Sequence, residues 1–239
     1  MTANQFNSLG KEALLKILSD PFLAISYSQF GEDTLIAEFL SANTFVNRPK
    51  FYVDIGAYHP SRFSNTKLLR FLGWRGINVD PNPDSIKLFE EARPNDINLN
   101  MGISSKSREA DYYRFREGAV NTFDKESAVA LLRKGWAFLG RRKVALMAIN
   151  ELFDTYLPED VKRHGIGFLD IDCEGLDTEI IESLDIGKYN PFILAIEGTG
   201  FNPLEPHANV IFQKLVSHGY VLGAYLGPTL LFWKKQPDL

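Results

Sequence analysis

A single cysteine, Cys173, stands in a chain of 239 residues. That scarcity excludes an intrachain disulfide framework and suits a reducing compartment. Positive charge is not in excess: 26 Lys and Arg face 30 Asp and Glu, a net charge of −4. A nucleic-acid binder relying on bulk charge is therefore disfavoured. No run approaches the ~20 apolar residues a membrane helix needs. The stretch "MTANQFNSLGKEALLKILSD" lacks the apolar centre of a signal peptide. No internal repeat or low-complexity tract appears. These absences lead us to expect a soluble, cytoplasmic protein with no membrane span and no nucleic-acid partner. Peripheral membrane contact and oligomeric state stay open.

What is present suits a globular domain. Hydrophobic residues make up 45% of the chain and charged residues 23%. The length fits one sizeable α/β domain or two small ones, and allows about 70% of the unfolded surface to be buried. Helical spacing over 11–18 and 32–40 predicts two helices. "FYVDI" (51–55), "GINVD" (76–80) and "INLNM" (97–101) read as strands, with helices between them. The second of those helices, "NPDSIKLFEEARP", has Asn82 as its cap, Pro83 in its first turn and Pro94 beyond its end. "GFLDID" (167–172) and "FILAIE" (192–197) are further strands, each followed by a helical stretch. "VLGAYLGPTLLFWK" reads as a hairpin turning at Gly227-Pro228.

Strands alternating with helices predict a parallel sheet covered on both faces. Seven strands closing on a hairpin resemble the Rossmann-like methyltransferase sheet, and that likeness implies the order 3-2-1-4-5-7-6. Between Gly102 and Leu152 the pattern weakens to one helix signal, a basic cluster and a short strand. We expect one domain over 1–239, with an N-terminal helical cap over about 1–48. A substrate-side insertion or lid is expected over about 105–148.

In an open parallel sheet, ligands bind beyond the carboxyl ends of the strands. Strand one ends in Asp54 and Gly56, and strand two in Asp80. The fourth ends in "DIDCEG", with Asp170, Asp172 and Glu174, and the fifth in Glu197. One acid at a strand end is an ordinary capped turn; acids at four ends point to a cofactor site. A dinucleotide needs G-x-G-x-x-G, so that backbone can approach a pyrophosphate. Here Tyr58 fills the second glycine position and Ser61 the third, and no G-x-x-x-x-G-K-[ST] loop exists. S-adenosylmethionine carries an adenosine and a zwitterionic tail without phosphate. It asks for an acid at the ribose, a small residue at the first turn and polar groups at the amino-acid end.

The order of "SQFGEDTLIAEF" (28–39), "FYVDIGAYHPSRFSNT" (51–66), "GWRGINVDPNP" (73–83), "RPNDINLNMGIS" (93–104), "NTFD" (121–124) and "DIDCEG" (170–175) resembles the FkbM family of S-adenosylmethionine-dependent methyltransferases. The likeness spans roughly residues 28–200. It implies O-methylation of a hydroxyl on a sugar, glycan or polyketide-like product. It implies Asp54 and Gly56 at the methionine end, with Tyr58 on the same turn. Asp80 would meet the ribose beside Pro81 and Asn82, and Met101, Gly102 and Ile103 the adenine. Gln29, Glu32 and Asp33 would approach from the N-terminal helix, and Asp172 from strand four. Relatives often carry Lys or Ser where this chain has Asp170.

An alcohol acceptor must lose its proton. The candidate bases are His59, Asp172, Glu174 and Glu197, with His59 set against the plainer reading of a loop-packing imidazole. Asp172, Glu174 and Glu197 are also candidates for Mg²⁺, a hard cation preferring oxygen. Arg62, Asn65, Asn121, Arg141 and Arg142 are candidates to face the acceptor. The cluster Arg133, Lys134, Arg141, Arg142 and Lys143, interleaved with Trp136, is either an anion-binding surface or a solvated one. A non-catalytic binding module and an NAD-linked oxidoreductase are the rival classes.

Overall fold

Alternation of side chains along five buried strands organises the molecule. The computed structural model describes residues 10–41 and 48–234. Residues 1–9 and 42–47, which belong to the expected cap over 1–48, lie outside the described residues, as do 235–239. The chain runs through α1 (Lys11–Leu18), α2 (Glu32–Ser41), β1 (Phe51–Ile55), α3 (Lys67–Phe71), β2 (Arg75–Val79), α4 (Pro83–Ala92) and β3 (Ile97–Leu99). Then follow β4 (Gly102–Ser104), β5 (Arg108–Phe115), α5 (Lys125–Arg133) and β6 (Phe138–Ala148). The remainder is α6 (Ile149–Tyr156), α7 (Glu159–His164), β7 (Phe168–Ile171), α8 (Asp177–Ser183), α9 (Ile186–Tyr189), β8 (Ile193–Glu197), α10 (Val210–Ser217), β9 (Tyr220–Leu226) and β10 (Thr229–Lys234).

The large sheet has the order β3-β2-β1-β7-β8-β10-β9. These labels depart from the expected 3-2-1-4-5-7-6 because three strands of a second sheet intervene in the chain. Counted among themselves, the seven strands run third, second, first, fourth, fifth, seventh, sixth. β1 pairs in parallel with β2 and β7, while β10 is antiparallel to both β8 and β9.

Period-two alternation sends each strand's residues to opposite faces. Val53, Ile55, Leu169, Ile171, Leu194 and Ile196 pack with Ile149, Leu152, Ile180 and Leu215 from α6, α8 and α10. Tyr52, Phe168, Ile193 and Ala195 face the other way, onto Ile36 and Leu40 of α2 and Leu69 of α3. Helices thus cover both faces, and β1 is buried at every position. The predicted cap is in place on α4, where the Asn82 side chain accepts from the Asp84 N–H at 3.3 Å.

The segment after Gly102 departs from expectation. It forms a second sheet, β4-β6-β5, with an eleven-residue β6 where one short strand is predicted. β6 alternates between exposed and half-buried positions over most of its length, so its inward residues are hidden among Arg141, Arg142 and Lys143. Lys143 lies opposite Asp111 in register, an opposite-charge pair of the kind that steadies antiparallel strands.

Candidate functional site

A cavity opens beyond the carboxyl ends of β1, β2 and β7, roofed by the second sheet. Gly56 makes its floor possible. Its φ is +84°, and a Cβ there would stand 1.7 Å from the Asp172 carbonyl oxygen. Only glycine allows the turn after β1 to lie against the end of β7.

Behind the floor sits a buried guanidinium. Arg93, 2% exposed, donates from Nη1 to the Tyr52 hydroxyl (2.8 Å), Thr66 Oγ1 (2.8 Å) and Asn78 Oδ1 (3.1 Å). Its Nη2 donates to the Pro60 carbonyl (2.7 Å) and Ser64 Oγ (3.1 Å). Thr66 in turn donates to Asp54 Oδ2 at 2.6 Å. One cation thus holds both the loop after β1 and the threonine that orients Asp54. Burial pushes the Asp54 pKa up, against the pull of Thr66 and Arg93. Asp170, beside Asp54 in register, is pushed well up by burial and then by Asp54, and accepts from Asn65 Nδ2 at 3.2 Å. Arg93 stands in a motif quoted above, but nothing in one sequence marks it as the buried member.

Asp80 ends β2 with Oδ2 accepting from Tyr58 N–H (2.8 Å) and Oδ1 from Asn82 N–H (2.7 Å). Burial lifts its pKa to about 6 despite those two donors. Opposite it, Met101, Gly102, Ile103, Tyr112 and Phe123 form a largely apolar slot, with the last two rings 4.8 Å apart. Gly102 and Ile103 belong to β4, so the slot joins the two sheets. Tyr112 and Phe123 are additions to the expected set; their half-exposed strand and turn gave no periodic signal.

The carboxyls at the end of β7 crowd together. Asp172 is open to the cavity, yet protein on its other sides raises its pKa strongly, with Glu174 and Glu197 adding repulsion. Burial, then Glu197 and Asp177, lift Glu174 to about 8. Asp177 is lifted to about 7 by burial first, although its carboxylate accepts from the N–H groups of Cys173 (2.7 Å) and Gly175 (3.2 Å). Carboxylate oxygens of Asp172, Asp177 and Glu197 lie within 4.8 Å of one another. Glu174 of the expected trio is not in this group; Asp177, folded back by its own loop, stands with Asp172 and Glu197. These oxygens are the hard donors Mg²⁺ takes. The Cys173 thiol borders the cavity, and burial pushes its pKa well up, away from a reactive thiolate.

Other expected residues turn elsewhere. His59 is not in the cavity wall. Its Nδ1 accepts from the N–H groups of Ser61 and Arg62, both at 3.0 Å, and burial, then Arg62, holds its pKa down. Its ring thus shapes its own loop. Glu197 lies off the wall and accepts from Thr199 Oγ1 at 2.7 Å. Asp33 is fully buried and accepts from Ser26, Ser28 and the Tyr27 N–H, while Gln29 and Glu32 do line the cavity. Asn82 caps α4 instead of entering the cavity. Arg141 pairs with Asp111 at 3.3 Å, and Arg142 donates to the Pro81 carbonyl, tying the second sheet to β2. Pro81, Asn65 and Asn121 reach the wall; Asn121 Oδ1 also accepts from Phe115 N–H at 2.7 Å.

Arg62 closes the rim. It donates in bidentate fashion to Glu117, both bonds 3.1 Å, and to the Tyr58 hydroxyl at 2.7 Å. Tyr58 donates to Glu117 Oε1 at 2.8 Å, and burial, then that bond, pushes its pKa to about 12. Tyr58, Phe63 and Glu174 all line the cavity with left-handed φ values of 51°, 55° and 47°. Such conformations cost about 1–3 kcal/mol each and persist where surroundings over-determine them. Tyr58 is held by Asp80, and Glu174 by Thr122, whose Oγ1 donates to its carbonyl at 2.6 Å.

A family model described as methyltransferase FkbM domain matches residues 54–222, more than two thirds of the chain. No curated protein matches. Among solved structures, the chain is similar to methyltransferase FkbM from Methylobacillus flagellatus KT, determined at 2.20 Å, with 13% identity and a TM-score of 0.46. That match covers 87% of this chain and 48% of the other, so the chain spans about half that protein's length.

Proposed function

The chain belongs to the methyltransferase FkbM domain family, and from that membership we propose an S-adenosylmethionine-dependent enzyme that methylates a hydroxyl of a sugar, glycan or related natural product. The observation carrying this reading is how one cavity is divided. An apolar slot stands on one side, a lone acid ends β2, and a crowd of carboxyls ends β7.

These residues fit the cofactor's parts. Asp80 keeps acceptor capacity beyond its two backbone donors, which suits the ribose hydroxyls. Met101, Ile103, Tyr112 and Phe123 would hold the adenine. Asp54, Gly56 and Gln29 would border the methionine end. When bound, S-adenosylmethionine supplies an electrophilic sulfonium methyl group. The cavity wall then has two tasks: to hold the acceptor oxygen in line, where proximity supplies about 7–11 kcal/mol, and to take its proton.

Asp172 is the base in this reading. It faces the cavity, and burial with like-charged neighbours strengthens its hold on a proton. Asn65 and Asn121 would orient the acceptor, and the second sheet would shield it from water. Magnesium on Asp172, Asp177 and Glu197, which would lower the hydroxyl's pKa, is the competing use of the same carboxyls. Melting curves with and without magnesium separate the two. A rise that Asp177→Asn removes assigns the ion, and no rise leaves Asp172 as the base.

Calorimetry with S-adenosylhomocysteine and transfer of a labelled methyl group to a panel of sugars test the whole. Binding with transfer supports the enzyme. Binding with no transfer to any acceptor leaves the non-catalytic module, and stabilisation by NAD alone overturns the reading.

A further inference from the structure

A second concavity lies where the end of β5 meets the turn between α5 and β6. Arg116, Glu117, Lys134, Gly135, Trp136 and Ala137 line it. The backbone shapes it: Arg116 N–H donates to the Ala137 carbonyl at 2.8 Å, and Gly135, with φ +84°, turns the chain after the helix. Trp136 is 40% exposed, an indole left facing solvent at the edge of a sheet.

Charge inside it is unevenly spent. Glu117 is already neutralised by the bidentate Arg62 pair, which holds its carboxyl below the usual range. Arg116 and Lys134 have no side-chain ion pair or hydrogen bond among the described residues. The cations expected to meet substrate, Arg62, Arg141 and Arg142, are engaged elsewhere. Two uncommitted cations therefore flank one exposed aromatic ring.

The concavity lies beside the main cavity. Glu117 lines the former, and the next two residues, Gly118 and Ala119, line the latter. The Tyr58 hydroxyl reaches across that wall to Glu117. An acceptor presenting one hydroxyl to Asp172 could extend past this wall into the second concavity.

We propose that Arg116, Lys134 and Trp136 form an acceptor subsite for an anionic sugar, one bearing a phosphate or a carboxylate. Trp136 stacks on the sugar ring; Arg116 and Lys134 take the anionic oxygens through charge-assisted hydrogen bonds. The claim rests on the methyltransferase reading for its place in the reaction, and it narrows the acceptor class.

The test is binding of glucose, glucose 1-phosphate, glucuronate and inorganic phosphate to the full chain, followed by indole fluorescence. Trp136→Phe identifies the responding indole. Glucose 1-phosphate or glucuronate should bind at least about tenfold tighter than glucose, and the double variant Arg116→Gln, Lys134→Gln should remove about tenfold of that preference. The two charged sugars, compared with each other, tell phosphate from carboxylate. The subsite is overturned by equal binding of charged and neutral sugars, by an unaffected double variant, or by inorganic phosphate binding as tightly as glucose 1-phosphate. S-adenosylhomocysteine affinity, measured on the same samples, should not move in the double variant. Its absence in the unmodified chain sinks the methyltransferase reading and leaves the sugar-binding result standing by itself.

Discussion

The floor of the cavity and its roof use charge in opposite ways. In the floor, Arg93 is buried and divides five hydrogen bonds among groups from the loop after β1 and from β1 and β2. In the roof, Arg141 and Lys143 lie more than half exposed and share one partner, Asp111. A buried charge must be fully partnered, and so it fixes geometry. An exposed charge is solvated already, and its partner adds little. The floor is therefore built on a buried hydrogen-bonded network. The roof is a surface sheet whose solvated charges should be exchangeable at little cost in stability.

Arg93→Met attacks the floor most directly. It strips donors from Tyr52, Thr66, Asn78 and Ser64 at once and should cost about 3–5 kcal/mol in urea unfolding. A loss under about 1 kcal/mol would mean that the floor is no better fixed than the roof.

Asp172→Asn tests the chemistry between the two regions. Turnover should drop by about 10²–10⁴-fold, with S-adenosylhomocysteine affinity far less affected. Parallel losses in both would make Asp172 a cofactor ligand instead of a base.

His59→Ala is expected to cost about 1–3 kcal/mol of stability, because two backbone N–H groups lose their acceptor. Turnover of the folded fraction should stay unchanged. A selective loss of turnover would return His59 to the catalytic set.

The crowded carboxyls set a pH dependence. Glu174 holds its proton up to about 8 in the folded chain, against an ordinary value of 4.5. Between those values the folded protein binds a proton that the unfolded chain releases, so stability falls as pH rises through that window. The melting temperature of the free protein should be lower near pH 8 than near pH 5. Glu174→Gln should flatten the descent, and an unchanged slope would assign it to other groups.

The smallest effect is expected in the roof. Arg141→Ala should change stability by no more than about 1 kcal/mol and leave turnover intact, in contrast to Arg93→Met. A turnover loss would place Arg141 back at the acceptor.

The two regions also differed in how far they could be read beforehand. β1, β2, β7 and β8 are apolar runs bounded by turns and acids, and burial on both faces leaves a strong signal in the residues themselves. So Asp54, Gly56, Asp80 and Asp172 could be picked out at strand ends, and the structure sets all four around one cavity. β5 and β6 carry polar and apolar residues in alternation, with charges on the open face. Such alternation signals only a short strand in place of their long pairing and gives no sign of Tyr112.

The sequence by itself determined the alternation of strands and helices, the acids at the strand ends and the broken glycine pattern that argues against a pyrophosphate. Each follows from local preference and periodicity, which depend on neighbours along the chain. Only the tertiary structure decided which polar groups face the cavity. It turned His59 onto its own loop, paired Arg141 with Asp111, tied Arg142 to the Pro81 carbonyl, left Arg116 and Lys134 uncommitted, and brought Asp177 beside Asp172 and Glu197. The physical reason is that a side chain's role depends on the donors, acceptors and charges brought to it from distant parts of the chain. Arg93 and Thr66, 27 residues apart, position Asp54 only after the sheet and its helices have packed.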